Sequence, residues 1–327
     1  MFLQVSRRDE QKTMIAPQAI DELHVSEVRS GALRWLNIEH PSRADIEYLR
    51  AHFPFHPLDL DDCLSKIQRP KIDEYDDYLF IVLHFPVHDK TSRVTSPGEV
   101  DIFVGNGYVV TVHDGTLPPL VQMFNECRDD ERARALYLRQ DSGHLLYLII
   151  DRLLDYCFPL LDKIGGNLER IENAIFAGAS ASTVEELSII RRDIMACRRI
   201  IRPLVGVIGK LERYERVFSR DDLDVYWSDL SDHVNRLIDI LEGHRDTVES
   251  LSYTNDSLIS HRTNEAIKIL TVFSTIMLPL GVIAGIYGMN VAGLPLADHP
   301  YAFPATGAIM VATTALLLGF FHSRKLI

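Results

Sequence analysis

Asn290 closes the stretch "AGIYGMN", where an uncharged run at 269–286, "ILTVFSTIMLPLGVIAGI", gives way to a segment that reads as a short loop. A carboxamide at the mouth of such a run is a mild ligand. Its oxygen accepts hydrogen bonds from the waters around a cation without strong capture of the ion itself. A carboxylate in the same place binds harder and releases more slowly. Gly288 and Asn290 are also favoured at helix C-termini, so a plain cap explains them too. Upstream, Asn264, Ile267, Thr271, Ser274, Leu278, Gly281 and Gly285 follow alternating steps of three and four and so share one stripe of a helix. The stripe is small or polar except at Ile267 and Leu278. Two readings stay open. The stripe packs helices through the GxxxG pattern of Gly281 and Gly285, or it lines a pore with amides at both ends and apolar constrictions between them. An oligomer whose first spans surround an axis accounts for both Asn264 and Asn290.

The elements that must hold these residues are legible in the hydropathy. Residues 269–286 and 303–321 are both free of charge and each is long enough to cross a bilayer as a helix. Pro279 disfavours a soluble helix there, but membrane helices tolerate proline. Arg262 and Lys268 precede the first run, Arg324 and Lys325 follow the second, and the segment "VAGLPLADHPY" between them has neither Lys nor Arg. By the positive-inside rule both termini face the cytoplasm and the loop faces outside, in the plasma (inner) membrane.

The rest of the chain has the opposite character. Only two of the 46 acidic and four of the 34 basic residues lie beyond position 260, which leaves 44 against 30 before it and a formal charge of about −14 there. An acidic body argues against nucleic-acid binding and is compatible with divalent cations, though most acidic surfaces are simply solvated. Four dispersed cysteines form no CxxC pair and read as buried thiols of a reducing compartment. The first residues, "MFLQVSRRDEQK", carry no apolar stretch of signal-peptide length. There is no P-loop, nucleophile elbow or HExxH, so an enzyme is not expected.

In the first 140 residues, "ALRWLNI", "YLFIVLHF", "VDIFV" and "YVVTVHD" read as strands, the last two joined at Gly105-Asn106-Gly107 as a hairpin. "SRADIEYLRAHF" reads as a helix, which makes this an α/β domain. From about Ser142 the pattern is helical almost throughout. Its final stretch, from about Asp221 to Tyr287, would be a single helix of roughly 100 Å at 1.5 Å per residue. The expected division is an α/β domain at 1–140, a helical stalk bundle at 141–266, a first transmembrane helix at 267–290, an external loop at 291–302, a second transmembrane helix at 303–322 and a basic tail at 323–327.

The stretch "TNEAIKILTVFSTIMLPLGVIAGIYGMN", with Gly-Met-Asn directly after the first of two C-terminal spans, resembles the signature of the CorA family of magnesium transport proteins. "WLNIEH" at 35–40, "FHPLDLDDCL" at 55–64 and "QRPKIDEYDDYLFIVLHF" at 68–85 are similar to family segments as well. The resemblance implies a funnel-shaped homopentamer in which a long stalk helix continues into the pore. It implies magnesium influx through a filter at Tyr287, Gly288, Met289 and Asn290, with no organic cofactor. It also implies regulatory magnesium held between adjacent cytosolic heads, with the acidic pair falling on Asp61 and Asp62 and its partner on Asp229. Read without the family, those carboxylates lie near a helix start and on a wet face. The chain departs from the family pattern in its outer loop, where Asp298 beside His299 replaces a glutamate, and in a tail thin in lysine.

The alternatives are a zinc, cobalt or nickel transporter of the same superfamily, or a membrane-anchored scaffold that conducts nothing. Thirteen scattered histidines invite the first, with His299 as its best residue. The scaffold leaves the polar stripe and Asn290 unexplained.

Overall fold

The computed structural model describes residues 23–65, 68–89, 91, 94–178, 181–214, 224–289 and 301–324. Asn290 and the loop carrying Asp298 and His299 lie outside the described residues, as does Lys325.

Runs of alternating and β-branched residues build a six-stranded mixed sheet. β1 (Val25–Ser30) turns at Gly31, whose φ of 59° suits glycine, into the antiparallel β2 (Leu33–Glu39). β3 (Lys71–Glu74), β4 (Tyr78–Asp89), β5 (Val94–Gly105) and β6 (Tyr108–His113) follow, in the spatial order β1-β2-β6-β5-β4-β3. β2 and β6 run parallel, with Trp35 opposite Val109, and the other neighbours are antiparallel. The β5–β6 turn places Gly107 at φ 79°. The Tyr108 ring lies where a Cβ of Gly105 would be, so this turn needs glycine twice.

Strands buried on both sides need a cover on both. One face carries Leu36, Ile38, Phe80, Val82, Phe103 and Val112, packed with residues of α1 (Arg43–His52) and α2 (Pro57–Asp62). Ser42 and Asp45 form a reciprocal capping box that starts α1, and Pro57 occupies the first turn of α2 after the His56 cap. The other face meets α3 (Pro118–Asp129) and α5 (Ser142–Asp155), with α4 (Glu131–Tyr137) between them in sequence. Trp35 fixes that side: its ring meets Phe124 edge-on at 5.1 Å and its indole N–H donates to Thr111 Oγ1 at 3.0 Å.

Three long helices follow: α6 (Cys157–Ala177), α7 (Ala181–Tyr214) and α8 (Asp224–Tyr287). Trp227, Leu230, Val234, Leu237, Leu241, Val248 and Leu251 repeat at bundle spacing along the first half of α8 and are all buried. α8 is a single helix of 64 residues that carries Pro279 internally, and α9 (Ala302–Ser323) is the last element. Both are long and apolar enough to cross a membrane. The described residues up to Ile171, with Glu186–Val248, form one compact unit; Glu172–Glu185 and the described residues from Glu249 onward form a second. All four cysteines are free and buried.

Candidate ion pathway and acidic clusters

The second half of α8 has two unlike faces. Val272, Ile276, Pro279, Leu280, Ile283 and Tyr287 are half-buried within this single chain. At 100° per residue they centre roughly 160° from Asn264, Ile267, Thr271, Ser274, Leu278, Gly281 and Gly285. Every residue of that small and polar stripe is exposed, Leu278 at 72% and Ile267 at 54%. A Cβ added at Gly281 or Gly285 would meet nothing within 4 Å. The GxxxG pattern therefore packs against nothing among the described residues. The Thr271 hydroxyl donates back to the Ile267 carbonyl at 2.7 Å, which satisfies it inside an apolar span.

At the helix end the Gly288 N–H donates to Ala284 O at 2.9 Å and the Met289 N–H to Ile286 O at 3.2 Å, a tightened last turn. Gly288 does not take the left-handed conformation of the usual glycine cap. Its lack of a side chain matters for another reason: a Cβ would stand 3.0 Å from the Ala284 carbonyl oxygen. Tyr287 is half-buried and Met289 exposed.

The three regulatory carboxylates expected from sequence fall in two places. Asp61 and Asp62 end α2, which is pinned from below by the Tyr75 and Tyr78 hydroxyls donating to Asp59 at 3.1 and 2.9 Å. Asp61 is exposed, with the Arg50 guanidinium at 4.0 Å. Asp62 is engaged by Lys71 Nζ at 2.8 Å and by the Gln68 amide at 3.0 Å, and Lys71 also reaches Asp73 at 2.7 Å. Burial works against the Lys71 charge, but the Asp62 and Asp73 carboxylates outweigh it and hold the ammonium above its ordinary value.

Asp229 sits instead on α8 beside two residues that sequence reasoning missed. Asp151 of α5, Asp229 and His233 each offer a ligand atom, all within 4.8 Å of one another. His233 lies between the carboxylates, with Nδ1 3.3 Å from Asp151 and Nε2 3.8 Å from Asp229. A neutral imidazole donates from only one nitrogen, so one carboxylate faces a ring lone pair. A bound cation relieves that contact. Burial and the Asp155 charge raise the Asp151 carboxyl, while His233 opposes them. Burial and the Asp151 and Asp229 carboxylates push the Tyr147 phenol up, its hydroxyl 3.4 Å from Asp229. Asp229 and His233 are four apart on one helix, a spacing that sets two ligands on one face and was readable. Asp151 comes from another helix, and only the packing brings it there.

Two histidine pairs share this four-residue spacing, and among the described residues neither builds such a site. His52 binds the Tyr48 carbonyl and His56 caps α2; His84 pairs with Glu99 and His88 with Thr95 on the β4–β5 ladder.

The family model described as CorA-like Mg2+ transporter protein matches residues 30–324. A Bacillus subtilis protein named as a candidate metal ion transporter, YfjQ, is 34% identical over 289 residues, covering 88% of each chain. The cobalt/magnesium transport protein CorA of Thermotoga maritima is 30% identical over 293 residues, 89% of this chain and 82% of that one. Among solved structures, the complete CorA magnesium transporter of Methanocaldococcus jannaschii superposes with a TM-score of 0.77 at 23% identity, covering 90% and 92% of the two chains. At that identity the likeness shows the fold.

Proposed function

Because the chain belongs to the CorA-like Mg2+ transporter family, we propose that it is a homopentameric magnesium channel whose flux is shut by cytosolic magnesium. Membership makes it a divalent cation transporter of a membrane and not an enzyme; the choice of ion, the copy number and the gate are our reading. The observation that carries it is the exposed stripe of α8. Among the described residues, small and polar groups run along one part of the surface that the chain leaves uncovered, toward the Gly288-Met289 end. Five such faces around an axis would form a conduit.

Magnesium holds its waters tightly, so a filter that strips it is costly. Asn290 amides beyond Met289 would accept hydrogen bonds from the hydrated ion and let it go, as conduction requires. Ile267 and Leu278 would be the apolar constrictions. Cytosolic magnesium would bridge heads through Asp61, Asp62 and Asp229, relieving carboxylate repulsion and biasing the assembly toward its closed state. Asp151 and His233 add to that set. Both termini would face the cytoplasm.

Purified protein in liposomes tests this. Magnesium uptake by wild type and its loss in Asn290→Ala are expected. Light scattering of the same preparation should read five copies of the 37.2 kDa chain. Uptake unchanged in the variant would remove the filter assignment. A second reading, transport of a cobalt- or zinc-type ion, rests on His233, because imidazole suits those metals better than magnesium. Competing zinc and cobalt in the same assay decide between them.

A further inference from the structure

Asp101 lies where a carboxylate is hard to keep. It stands on β5 with only 3% of its surface exposed, and its Oδ1 has no hydrogen-bond partner. Burial, helped by the Glu99 and Asp62 charges, pushes its carboxyl up to about 8. Buried polar groups are satisfied in nearly all folded proteins, so an unused carboxylate oxygen asks for a missing partner. Asp101 faces a cavity of about 520 Å³ where α2 ends against the sheet. Glu99 lies two residues before Asp101 on the same face, paired with His84 Nε2 at 2.8 Å across the ladder. Leu64, Pro97 and Val112 give the cavity apolar walls. The other charged or titratable groups beside Asp101 or lining the cavity are Asp62 and Cys63 at the end of α2, the Cys63 thiol itself hydrogen-bonded to the Asp101 carboxyl, Lys71 of β3, and His40, His113 and Asp114.

The arrangement does not suit a bare metal ion. An ion needs several donor atoms converging on one point at about 2.0–2.6 Å. Among the described residues the one cluster of three such atoms within 4.8 Å of one another is that of Asp151, Asp229 and His233. The volume is that of a small-molecule site, with apolar walls and a few convergent polar groups.

We propose that this cavity binds a small organic cation, a primary ammonium on a short apolar stem, whose N–H groups donate to the Asp101 and Glu99 carboxylates. The stem lies against Leu64, Pro97 and Val112. This stands apart from the transport reading, since it uses neither the pore stripe nor the Asp229 cluster.

Titration calorimetry of the full-length protein in detergent, with n-butylammonium chloride as probe and magnesium chloride as a separate arm, tests it. Saturable binding of the amine is expected, weakened at least tenfold in Asp101→Asn. Leu64→Trp, a change at the partly exposed rim, should weaken it as much by filling the mouth. If Asp101→Asn does not fold, Leu64→Trp decides. The proposal is overturned if wild type does not bind the amine or if neither variant weakens binding. It is equally overturned if magnesium, and not the amine, is the cation whose binding Asp101→Asn removes.

Discussion

His113 shows how single residues of the α/β layer are held, and what that costs in acid. Its Nδ1 accepts from the Gly115 N–H and its Nε2 meets Asn37 Oδ1, both at 3.0 Å, so the ring is used in its neutral form. Burial lowers it from 6.5 to about 4. Between those values the unfolded chain binds the extra proton, so stability is full above pH 6.5 and falls as pH drops toward 4. Over that window the loss is roughly 3 kcal/mol. Melting of the full-length protein at pH 5 and pH 7 should show this slope, and His113→Gln should flatten it; an equal slope in both would assign the acid sensitivity elsewhere. The acidic clusters make a different prediction. Asp229→Ala should leave flux intact without internal magnesium and raise the concentration needed for shut-off several-fold, as should Asp62→Ala more weakly, because Lys71 already neutralises Asp62. His233→Ala should move shut-off by cobalt more than shut-off by magnesium. Concentration-response curves of flux against internal ion read both, and variants that shut like wild type would dissociate these carboxylates from the gate.

At the scale of elements, α8 carries the account, because one helix presents a bundle seam in its first half and an open stripe in its second. Gly281→Leu places a large side chain where nothing lies within 4 Å of a Cβ, so the single chain tolerates it. Flux is nevertheless expected to fall at least tenfold, while Ile283→Leu on the half-buried face should change it little. Tracer uptake at matched insertion measures this, and equal flux in the two variants would move the pathway off the stripe. How much of this was legible in the sequence follows from the kind of signal each element carries. The strands around Trp35, Phe80, Ile102 and Val110 announced themselves as short runs rich in β-branched and aromatic residues, and the hairpin by Gly105-Asn106-Gly107. The 64-residue α8 was readable because the apolar seam from Trp227 to Leu251 and the uncharged run from Ile269 are joined by a segment with neither Gly nor Pro. β1 and β3 were not foreseen, being short edge strands with little apolar content. Nor was the extension of β4 and β5 to Asp89 and Val94, where Pro86 stands opposite Pro97 in register and prolines usually argue against a strand. The stripe could be placed on one face from spacing, but whether that face was covered could not: that needed burial. Asp151 was invisible for the same reason, since its partners lie on α8.

For the whole molecule, the proposal is that copies of this chain meet along the exposed stripes of α8 and that ions pass between them. An acidic body of about −14 before position 260 would raise the local concentration of cations and help to hold them at a gate. The most direct test asks whether the stripe sees water along the conduction path. Thr271→Cys and Ile276→Cys differ only in face, and the four native thiols are buried and should stay silent. In liposomes carrying a magnesium gradient, a charged methanethiosulfonate reagent should abolish flux through Thr271→Cys within minutes and leave Ile276→Cys and wild type conducting. Block of Ile276→Cys with Thr271→Cys untouched, or no block of either during active flux, would contradict a pathway along this face.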